Sequence, residues 1–166
     1  MINVVDYDKN WPSNFETEKT FLESVIGEWV FGSIEHVGST AVVGLAAKPV
    51  IDIMVGVKSL EASKPAIELL TENGYCFYPY KPDVMHWFCK PSPETRTHHL
   101  HLVPYKSPLW HERILFREHL RKNPKIANEY AQLKRRLASE NSINREHYTQ
   151  SKWPFIQKVL QSIMNT

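Results

Sequence analysis

Two periodicities of hydrophobic and polar residues divide the first half of this chain into helical and extended segments. Apolar residues three or four apart are typical of a helix with one buried face, whereas apolar or alternating runs bounded by turn residues are typical of strands. The elements that these patterns predict are a helix over about Pro12–Glu28, strands over about Val30–Val37 and Val50–Val57, and a helix over about Glu61–Glu72. The Asn73-Gly74 pair predicts a left-handed residue at the end of the second helix.

The second half of the chain changes from strand patterns to helix patterns. Three aromatic or alternating runs, YCFYPY, VMHWFCK and THHLHLVPY, predict strands separated by turns. Three helices are predicted after them, over about Leu109–Lys122, from Pro124 to about Ser139, and over about Asn144–Met164. Pro154 lies inside the last helix and is expected to kink it or to reset its start.

This order of elements predicts an α+β fold. The expected architecture is a mixed β-sheet of about five strands, with helices packed on one side or gathered at the C-terminal end. No linker-like composition interrupts the sequence, so we expect one domain over residues 1–166, with a helical C-terminal part from about residue 108. A chain of 166 residues is long enough to bury one sizeable core.

Composition and charge narrow the class of protein. The chain is 42% hydrophobic and 23% charged, and its formal net charge of +2 argues against a general nucleic-acid binder while leaving room for a local basic patch. Cys76 and Cys89 show no metal-type spacing and are expected to be reduced core thiols. The N-terminus has no signal-peptide pattern and no apolar run is long enough to span a membrane, which predicts a cytoplasmic protein.

The segment IEHVGSTAVVGLAAKPVIDIMV carries the candidate chemistry. Gly38 permits a close backbone approach after the first strand, and Ser39 and Thr40 offer hydroxyl and amide groups that can hold phosphate oxygens. Alternation along the next strand puts Asp52 and Met54 on one face and the Ile/Val residues on the other. If the sheet packs on its Ile/Val face, Asp52 points into a cleft beside the turn. A carboxylate next to a phosphate site is what a bridging magnesium ion requires.

The Gly-Ser turn followed by an aspartate-bearing strand resembles the nucleotidyltransferase superfamily of DNA polymerase β, whose strand carries Asp-x-Asp or Asp-x-Glu. A fuller resemblance is to the GrpB family, and it extends over nearly the whole chain in the segments YDKNW, IEHVGSTAVVGLAAKPVIDIMV, HLHLV, LFREHLRKNP, EYAQLKRRLA and YTQSKWPFI. This resemblance implies the nucleotidyltransferase fold more firmly than it implies a reaction. A nucleoside triphosphate and a divalent metal (Mg, Mn or Zn) are the ligands that it suggests. Met54 departs from the superfamily pattern, which has a second carboxylate at that position.

The missing carboxylate raises the question of what else could hold a metal. Two-metal phosphoryl transfer needs several ligands for ions about 4 Å apart, and one aspartate does not supply them. His99 and His101 share a strand face, and in the superfamily a third carboxylate sits on a later strand of this sheet, so we expect Asp52, His99 and His101 to be the metal ligands, with His36 as a further candidate. In the alternative interpretation the histidines are satisfied on an open sheet face or contact substrate. Asp52 would then be a structural carboxylate paired with Lys48 or His36.

Basic side chains supply candidate phosphate contacts. Lys48 precedes the aspartate strand and is placed to neutralise either Asp52 or a phosphate. Arg113, Arg117 and Arg121 repeat every fourth residue and form one basic ridge on a helix. Such a ridge is either a solvated surface or a clamp for a triphosphate, and we assign the phosphate contact to Arg117.

The last two helices add one further pair of candidates. Tyr148 and Lys152 lie one turn apart and match the family pattern, so they either close over a nucleotide or pack the last helix. The basic residues Lys134, Arg135 and Arg136 are expected to be surface charge, although Lys134 matches a family position.

Three functions are compatible with these residues. The first is a nucleotidyltransferase-like enzyme that binds a nucleoside triphosphate and a divalent metal and acts on an unknown acceptor. The second is a catalytically inactive module that binds a nucleotide or an acidic metabolite, since the second carboxylate is missing. The third is a transition-metal site of aspartate and histidine with hydrolase-like chemistry.

Overall fold

The computed structural model describes residues 2–141 and 143–165 of the chain. Its helices are α1 (Trp11–Ile26), α2 (Lys64–Glu72), α3 (Pro108–Lys122), α4 (Pro124–Glu140) and α5 (Arg145–Met164). Its strands are β1 (Ile34–Val37), β2 (Ile51–Val57), β3 (Cys76–Tyr78), β4 (His86–Pro91) and β5 (Arg96–Pro104). Short 3₁₀ turns at Gly27–Trp29 and Ser39–Ala41 follow α1 and β1.

The five strands form one mixed sheet in the order β1-β2-β5-β4-β3. Strands β2 and β5 are parallel, and every other neighbouring pair is antiparallel. The chain reaches β5 only after α2, β3 and β4, because a parallel partner requires a long crossover connection. The predicted α+β fold and the mixed sheet of five strands are confirmed.

The two faces of the sheet have different roles, and β2 shows the division. Ile51, Ile53 and Val55 lie in the main hydrophobic core together with residues of α1 and α2. Asp52 and Met54 lie on the opposite face, where Met54 is fully buried in a second core cluster that includes Trp110 of α3. The predicted separation of faces is therefore confirmed, and Asp52 faces away from α1 and α2.

The C-terminal helices gather beside the second face of the sheet. Helix α3 contacts β1 and β5, and α3, α4 and α5 pack on one another through aromatic residues such as Tyr130 and Phe155, whose rings stack 5.3 Å apart. Helix α5 continues through Pro154, so the proline does not reset its start. None of the described helices combines the length and the apolar character needed to cross a membrane.

Two element boundaries differ from the sequence prediction. Strand β1 begins at Ile34 instead of Val30, because Gly32 adopts a φ of +90° in the connection that precedes it. Helix α2 begins at Lys64 instead of Glu61, with Pro65 in its first turn. The remaining boundaries agree to within about two residues, which is the usual uncertainty of helix ends.

A buried ion pair on the core side of the sheet should be important for stability. Lys90 Nζ lies 2.5 Å from Glu18 Oε1, and Glu18 is only 6% exposed. Lys90→Met should lower the free energy of unfolding by about 3 kcal/mol, because it leaves a buried carboxylate without its main partner. Urea unfolding measures this loss.

Lys64→Met is the matched control, since Lys64 pairs with Glu61 on the surface with both side chains largely exposed. The control should change stability little. The double variant Glu18→Leu/Lys90→Met should be more stable than Lys90→Met alone, because no charge is then buried. Equal stability of Lys90→Met and Lys64→Met would contradict a structural role for the buried pair.

Candidate functional site

The turn after β1 meets β2 at the position of the candidate aspartate. Val37 pairs with Asp52 across the two antiparallel strands, and Gly38 follows with a φ of +73°. A Cβ atom built on Gly38 would lie 2.5 Å from Asp52 Oδ2, so only glycine allows this approach. The Gly-Ser turn and the carboxylate therefore form one local structure, as predicted.

Asp52 is bracketed by the two predicted histidines. The parallel register of β2 and β5 sets Asp52 opposite His99 and Met54 opposite His101. His99 Nδ1 lies 3.1 Å from Asp52 Oδ1, within hydrogen-bond distance, and His101 Nε2 lies 3.7 Å from the same oxygen. The Nε2 atoms of both histidines are buried and have no hydrogen-bond partner among the described residues. The sequence prediction that these three residues come together is thus matched by the geometry.

The electrostatic environment keeps Asp52 ionised. Burial alone would raise the pKa of its carboxyl group, but the imidazoles of His101 and His99 lower it well below its usual value. His101 is itself neutral near pH 7, because burial, together with the charge of Arg113, lowers its pKa to about 4. One negative charge is therefore fixed at the centre of the site.

Lysines from three segments surround this single carboxylate. The Nζ atoms of Lys48 and Lys152 lie 5.0 and 4.7 Å from the centre of the ring of Tyr148, which is fully buried. Lys134 is 2% exposed, and its Nζ donates a hydrogen bond of 2.5 Å to the carbonyl oxygen of Ala46. No carboxylate of the described residues lies within 4 Å of any of the three ammonium groups.

The pKa values of Lys134 and Lys152 are lowered by burial and by the charges of the neighbouring lysines. Burial, together with the charges of Lys152 and Lys48, lowers the pKa of Lys134 to about 6. Burial and the charge of Lys48 lower the pKa of Lys152 to about 7. The charge of Asp52 raises the pKa of each lysine, but not enough to offset these effects. A further negative charge in the site would therefore favour the protonated form of these lysines.

The three arginines of the predicted basic ridge on helix α3 have different partners in the structure. Arg117 Nη1 lies 2.8 Å from Glu35 Oε1 and 3.0 Å from the carbonyl oxygen of His36, so it ties α3 to β1. Arg121 donates to the carbonyl oxygen of Ala41 at 2.9 Å. Arg113, one turn before Arg117, is the arginine of this ridge whose charge interacts with Asp52. The basic ridge is thus divided between a structural role and the site.

Thr40 and His36 are engaged with each other in the interior. His36 Nε2 lies 2.8 Å from the Thr40 hydroxyl, which also contacts the carbonyl oxygen of Val50 at 3.4 Å. The His36 ring stacks on Phe15 of α1, on the core side of the sheet. Both were candidates from the sequence, and neither side chain is hydrogen-bonded to Asp52 in the structure, although the charge of Asp52 reaches His36.

Two residues of α4 interact with the candidate site and were not predicted. Tyr130 interacts through its hydroxyl with Ser39, which links α4 to the Gly-Ser turn. Lys134 was expected on the surface, but it follows Tyr130 by four residues and shares the buried stripe of α4 with Ala127 and Leu137. That helical spacing was the available signal, because a lysine within an apolar stripe is buried with its neighbours.

The donor set offers little to a metal held by the protein alone. Asp52, His99 and His101 meet, but no group of three or more His, Cys, Asp and Glu side chains in residues 2–141 and 143–165 is arranged to hold a metal ion. The Nδ1 atom of His99 is instead directed to the carboxylate as a hydrogen-bond partner. In this structure the carboxylate and the His99 imidazole are thus a hydrogen-bonded pair, and the metal site stays a prediction.

The fold of this chain is that of the nucleotidyltransferases. A mixed sheet in which a Gly-Ser turn abuts an aspartate on the next strand is the arrangement implied by the nucleotidyltransferase resemblance. The crystal structure of the Cid1 poly(U) polymerase with MgGTP bound has this fold and aligns with a TM-score of 0.55, at 16% identity, over 85% of this chain and 46% of that chain. Identity this low supports the shared fold alone.

Within that class, the chain belongs to the GrpB family, whose sequence model, described as GrpB protein, matches residues 1–162. The glutamate-rich protein GrpB of Alkalihalophilus pseudofirmus is 38% identical over 165 residues, which cover 96% of this chain and 94% of that protein. The crystal structure of the conserved protein GrpB from Enterococcus faecalis aligns with a TM-score of 0.85 and 29% identity over 98% of this chain and 99% of that one. The predicted family is confirmed.

Gly38→Ala should destabilise the protein more than Gly44→Ala. Both glycines have positive φ, +73° and +83°, so each substitution carries a backbone cost of about 1–2 kcal/mol. A Cβ atom at Gly38 also meets the Asp52 carboxylate, whereas a Cβ atom at Gly44 has nothing within 4 Å. Urea unfolding of both variants measures the difference. Equal losses would mean that the turn does not depend on its contact with Asp52.

Lys134 should make stability depend on pH. Its pKa is lowered to about 6 in the folded protein, from a usual value of 10.5, so the unfolded chain binds one more proton between these pH values. Stability therefore rises with pH in this window, with a slope for this group of up to about 1.4 kcal/mol per pH unit. Urea unfolding at pH 7, 8 and 9 should show a shallower rise for Lys134→Met than for the parent. Lys125→Met, an exposed position on the same helix, should keep the parent slope.

Proposed function

We propose that the protein binds a nucleoside triphosphate in the cleft over Asp52 and transfers its nucleotidyl group to an acceptor. One observation carries this proposal: the charge of Asp52, next to the Gly-Ser turn, reaches four basic side chains, Lys48, Lys134, Lys152 and Arg113, and no carboxylate of the described residues lies within 4 Å of their charged groups. Partly buried cations without partners are costly unless a ligand neutralises them. A triphosphate carries the charge that this cluster lacks.

The residues of the site divide the work of binding and transfer. Ser39 is half-buried in the turn and would donate its hydroxyl to a phosphate oxygen, while Gly38 leaves the backbone open to the ligand. Lys48, Lys152 and Arg113 would stabilise the negative charge that develops on the leaving pyrophosphate, which is the main contribution that proteins make to such transfers. This role needs positive charges held in place before the reaction, and the packing of Lys48 and Lys152 on Tyr148 would hold two of them.

A divalent ion belongs to this proposal as a companion of the triphosphate. Magnesium, manganese and zinc are the candidates, and the triphosphate would supply most of the ligands. Asp52 offers an ionised carboxylate toward the same cleft. The alternative of a resident transition-metal centre with hydrolase-like chemistry is weakened by the absence of a three-ligand group among the described residues.

A binding module without catalysis is the second candidate, and Met54 is the observation that favours it. Met54 stands where the superfamily has its second carboxylate, and it is fully buried among Val37, Val103 and Trp110. A buried methionine there contributes to the core and not to chemistry. Release of pyrophosphate from bound nucleotide separates the two candidates, because a binding module releases none.

Calorimetric titration with ATP, GTP, CTP and UTP, each with and without magnesium, tests the proposal. At least one nucleotide should bind, and Ser39→Ala should weaken that binding by about 1–2 kcal/mol, which is the usual loss for a hydrogen bond to a charged group. Lys152→Met should weaken it further, whereas Lys158→Met, an exposed position on the same helix, should not. The proposal fails if none of the four nucleotides binds to the parent protein.

Nucleotide binding should weaken as the pH rises from about 6.5 to 8.5. A triphosphate favours the protonated lysines, but Lys152 and Lys134 have pKa values of about 7 and 6 in the free protein. Above these values each lysine must take up a proton on binding, and the affinity falls by up to about tenfold per pH unit for each such lysine. Titrations in buffers with different ionisation enthalpies report the proton uptake directly. Lys152→Met should show a smaller uptake than the parent, and an equal uptake would contradict this role for Lys152.

A further inference from the structure

A cavity of about 150 Å³ opens beside the Asp52 site, at the end of the sheet where β2 and β5 begin. Its cationic wall consists of Lys48 before β2, Arg96 at the start of β5 and Arg145 at the start of α5. His99 also lines this cavity, so one side chain connects the cavity to Asp52. The space is sufficient for several water-sized groups, and therefore for a small anionic group.

The two guanidinium groups of this wall are held in place by the turn between β4 and β5. Arg96 Nε donates to the carbonyl oxygen of Pro93 at 2.9 Å, and the guanidinium lies 5.3 Å from the centre of the Trp87 ring. Arg145 donates to the carbonyl oxygens of Pro93 and Glu94 at 2.6 and 2.8 Å. Both arginines are thus preorganised, and binding an anion would cost little further ordering.

The charge of this wall is not compensated at ion-pair distance. Among residues 2–141 and 143–165, no carboxylate lies within 4 Å of Lys48, Arg96 or Arg145. Glu94 is the acidic neighbour whose charge reaches Arg96, but it contacts Arg145 only through its main-chain carbonyl. Three cations from three separate segments therefore face one small cavity together.

From this arrangement we infer that the cavity binds the acidic group of the second substrate, a carboxylate or a phosphate, and that this group receives the nucleotide. The inference rests on the proposed nucleotidyl transfer and names the chemical class of its acceptor. The bidentate geometry of arginine matches both a carboxylate and a phosphate group. His99 lines the cavity and contacts Asp52, which sets the acceptor next to the triphosphate site.

An acidic acceptor also agrees with the shortage of carboxylates in the site. In the transfer, an anionic acceptor oxygen forms a bond to the α-phosphorus, the bond from that phosphorus to the bridging oxygen breaks, and pyrophosphate leaves. The attacking oxygen of a carboxylate or phosphate is already deprotonated near pH 7, so no general base is needed. Asp52, with His99 and His101 around its carboxylate, is then free to remain a fixed charge.

Two anions, succinate and inorganic phosphate, serve as probes of the cavity. The protein is first saturated with the nucleotide that binds, supplied as its non-hydrolysable α,β-methylene analogue. Calorimetry should detect binding of one of the two anions. Arg96→Gln and Arg145→Gln should each weaken that binding by about tenfold, as expected for the loss of a charge-assisted contact, and change nucleotide affinity by less than about twofold. Arg135→Gln, an arginine on α4 that is exposed and paired with Asp6, is the matched control and should change neither.

The outcomes separate this inference from the proposed function. The acceptor site alone is overturned if the protein binds nucleotide but neither anion. It is also overturned if Arg96→Gln and Arg145→Gln leave anion binding intact. Absence of nucleotide binding would overturn the proposed function and the acceptor site with it. The better-binding anion is then incubated with nucleotide labelled at the α-phosphate. Transfer of label should yield a hydroxylamine-sensitive anhydride from succinate, or a nucleoside diphosphate from phosphate, and unchanged nucleotide would overturn the anion as the reacting group.

Discussion

The confinement of several basic side chains around one carboxylate is the constraint on which the rest of this site depends. The charge of Asp52 reaches four of them, Lys48, Lys134, Lys152 and Arg113, while its carboxylate is held by two imidazoles. Keeping all four protonated in this partly buried place is unfavourable, so the pKa values of Lys134 and Lys152 fall to about 6 and 7. Proteins keep arrangements of this kind where a ligand restores the balance, and strain of this sort concentrates at functional sites.

The sheet topology creates this arrangement from residues that are far apart in the sequence. Antiparallel pairing of β1 and β2 sets the Gly-Ser turn against Asp52, and parallel pairing of β2 and β5 sets His99 beside it. The Ile/Val face of β2 must be buried against α1 and α2, and because side chains alternate along a strand, this burial fixes the opposite direction for Asp52. The hydrophobic core therefore orients the polar site.

Sequence predicts the features that depend on neighbouring residues and misses those that depend on contacts between distant segments. Strand alternation is local, so the shared face of Asp52 and Met54 and that of His99 and His101 were predictable before the pairing of strands was known. The division of the α3 arginines was not, because Glu35 and Asp52, which attract Arg117 and Arg113, lie on distant strands. Lys134 lies between these cases. Its burial could be predicted from the apolar spacing along α4, but Lys48 and Asp52, whose charges reach it, are distant in the sequence.

The buried Met54 changes the charge of the cleft, because it stands where the superfamily has a second carboxylate. A second carboxylate at that position would oppose the lysines and bring its own demand for a metal ion. Without it, the net charge of the cleft is more positive, so in the proposed function more of the charge on a triphosphate and on its acceptor is balanced by lysine and arginine. Basic side chains from α3, α4 and α5 lie close enough to interact with Asp52 in this chain. The helical C-terminal part therefore contributes to the candidate site together with the Gly-Ser turn and the aspartate strand.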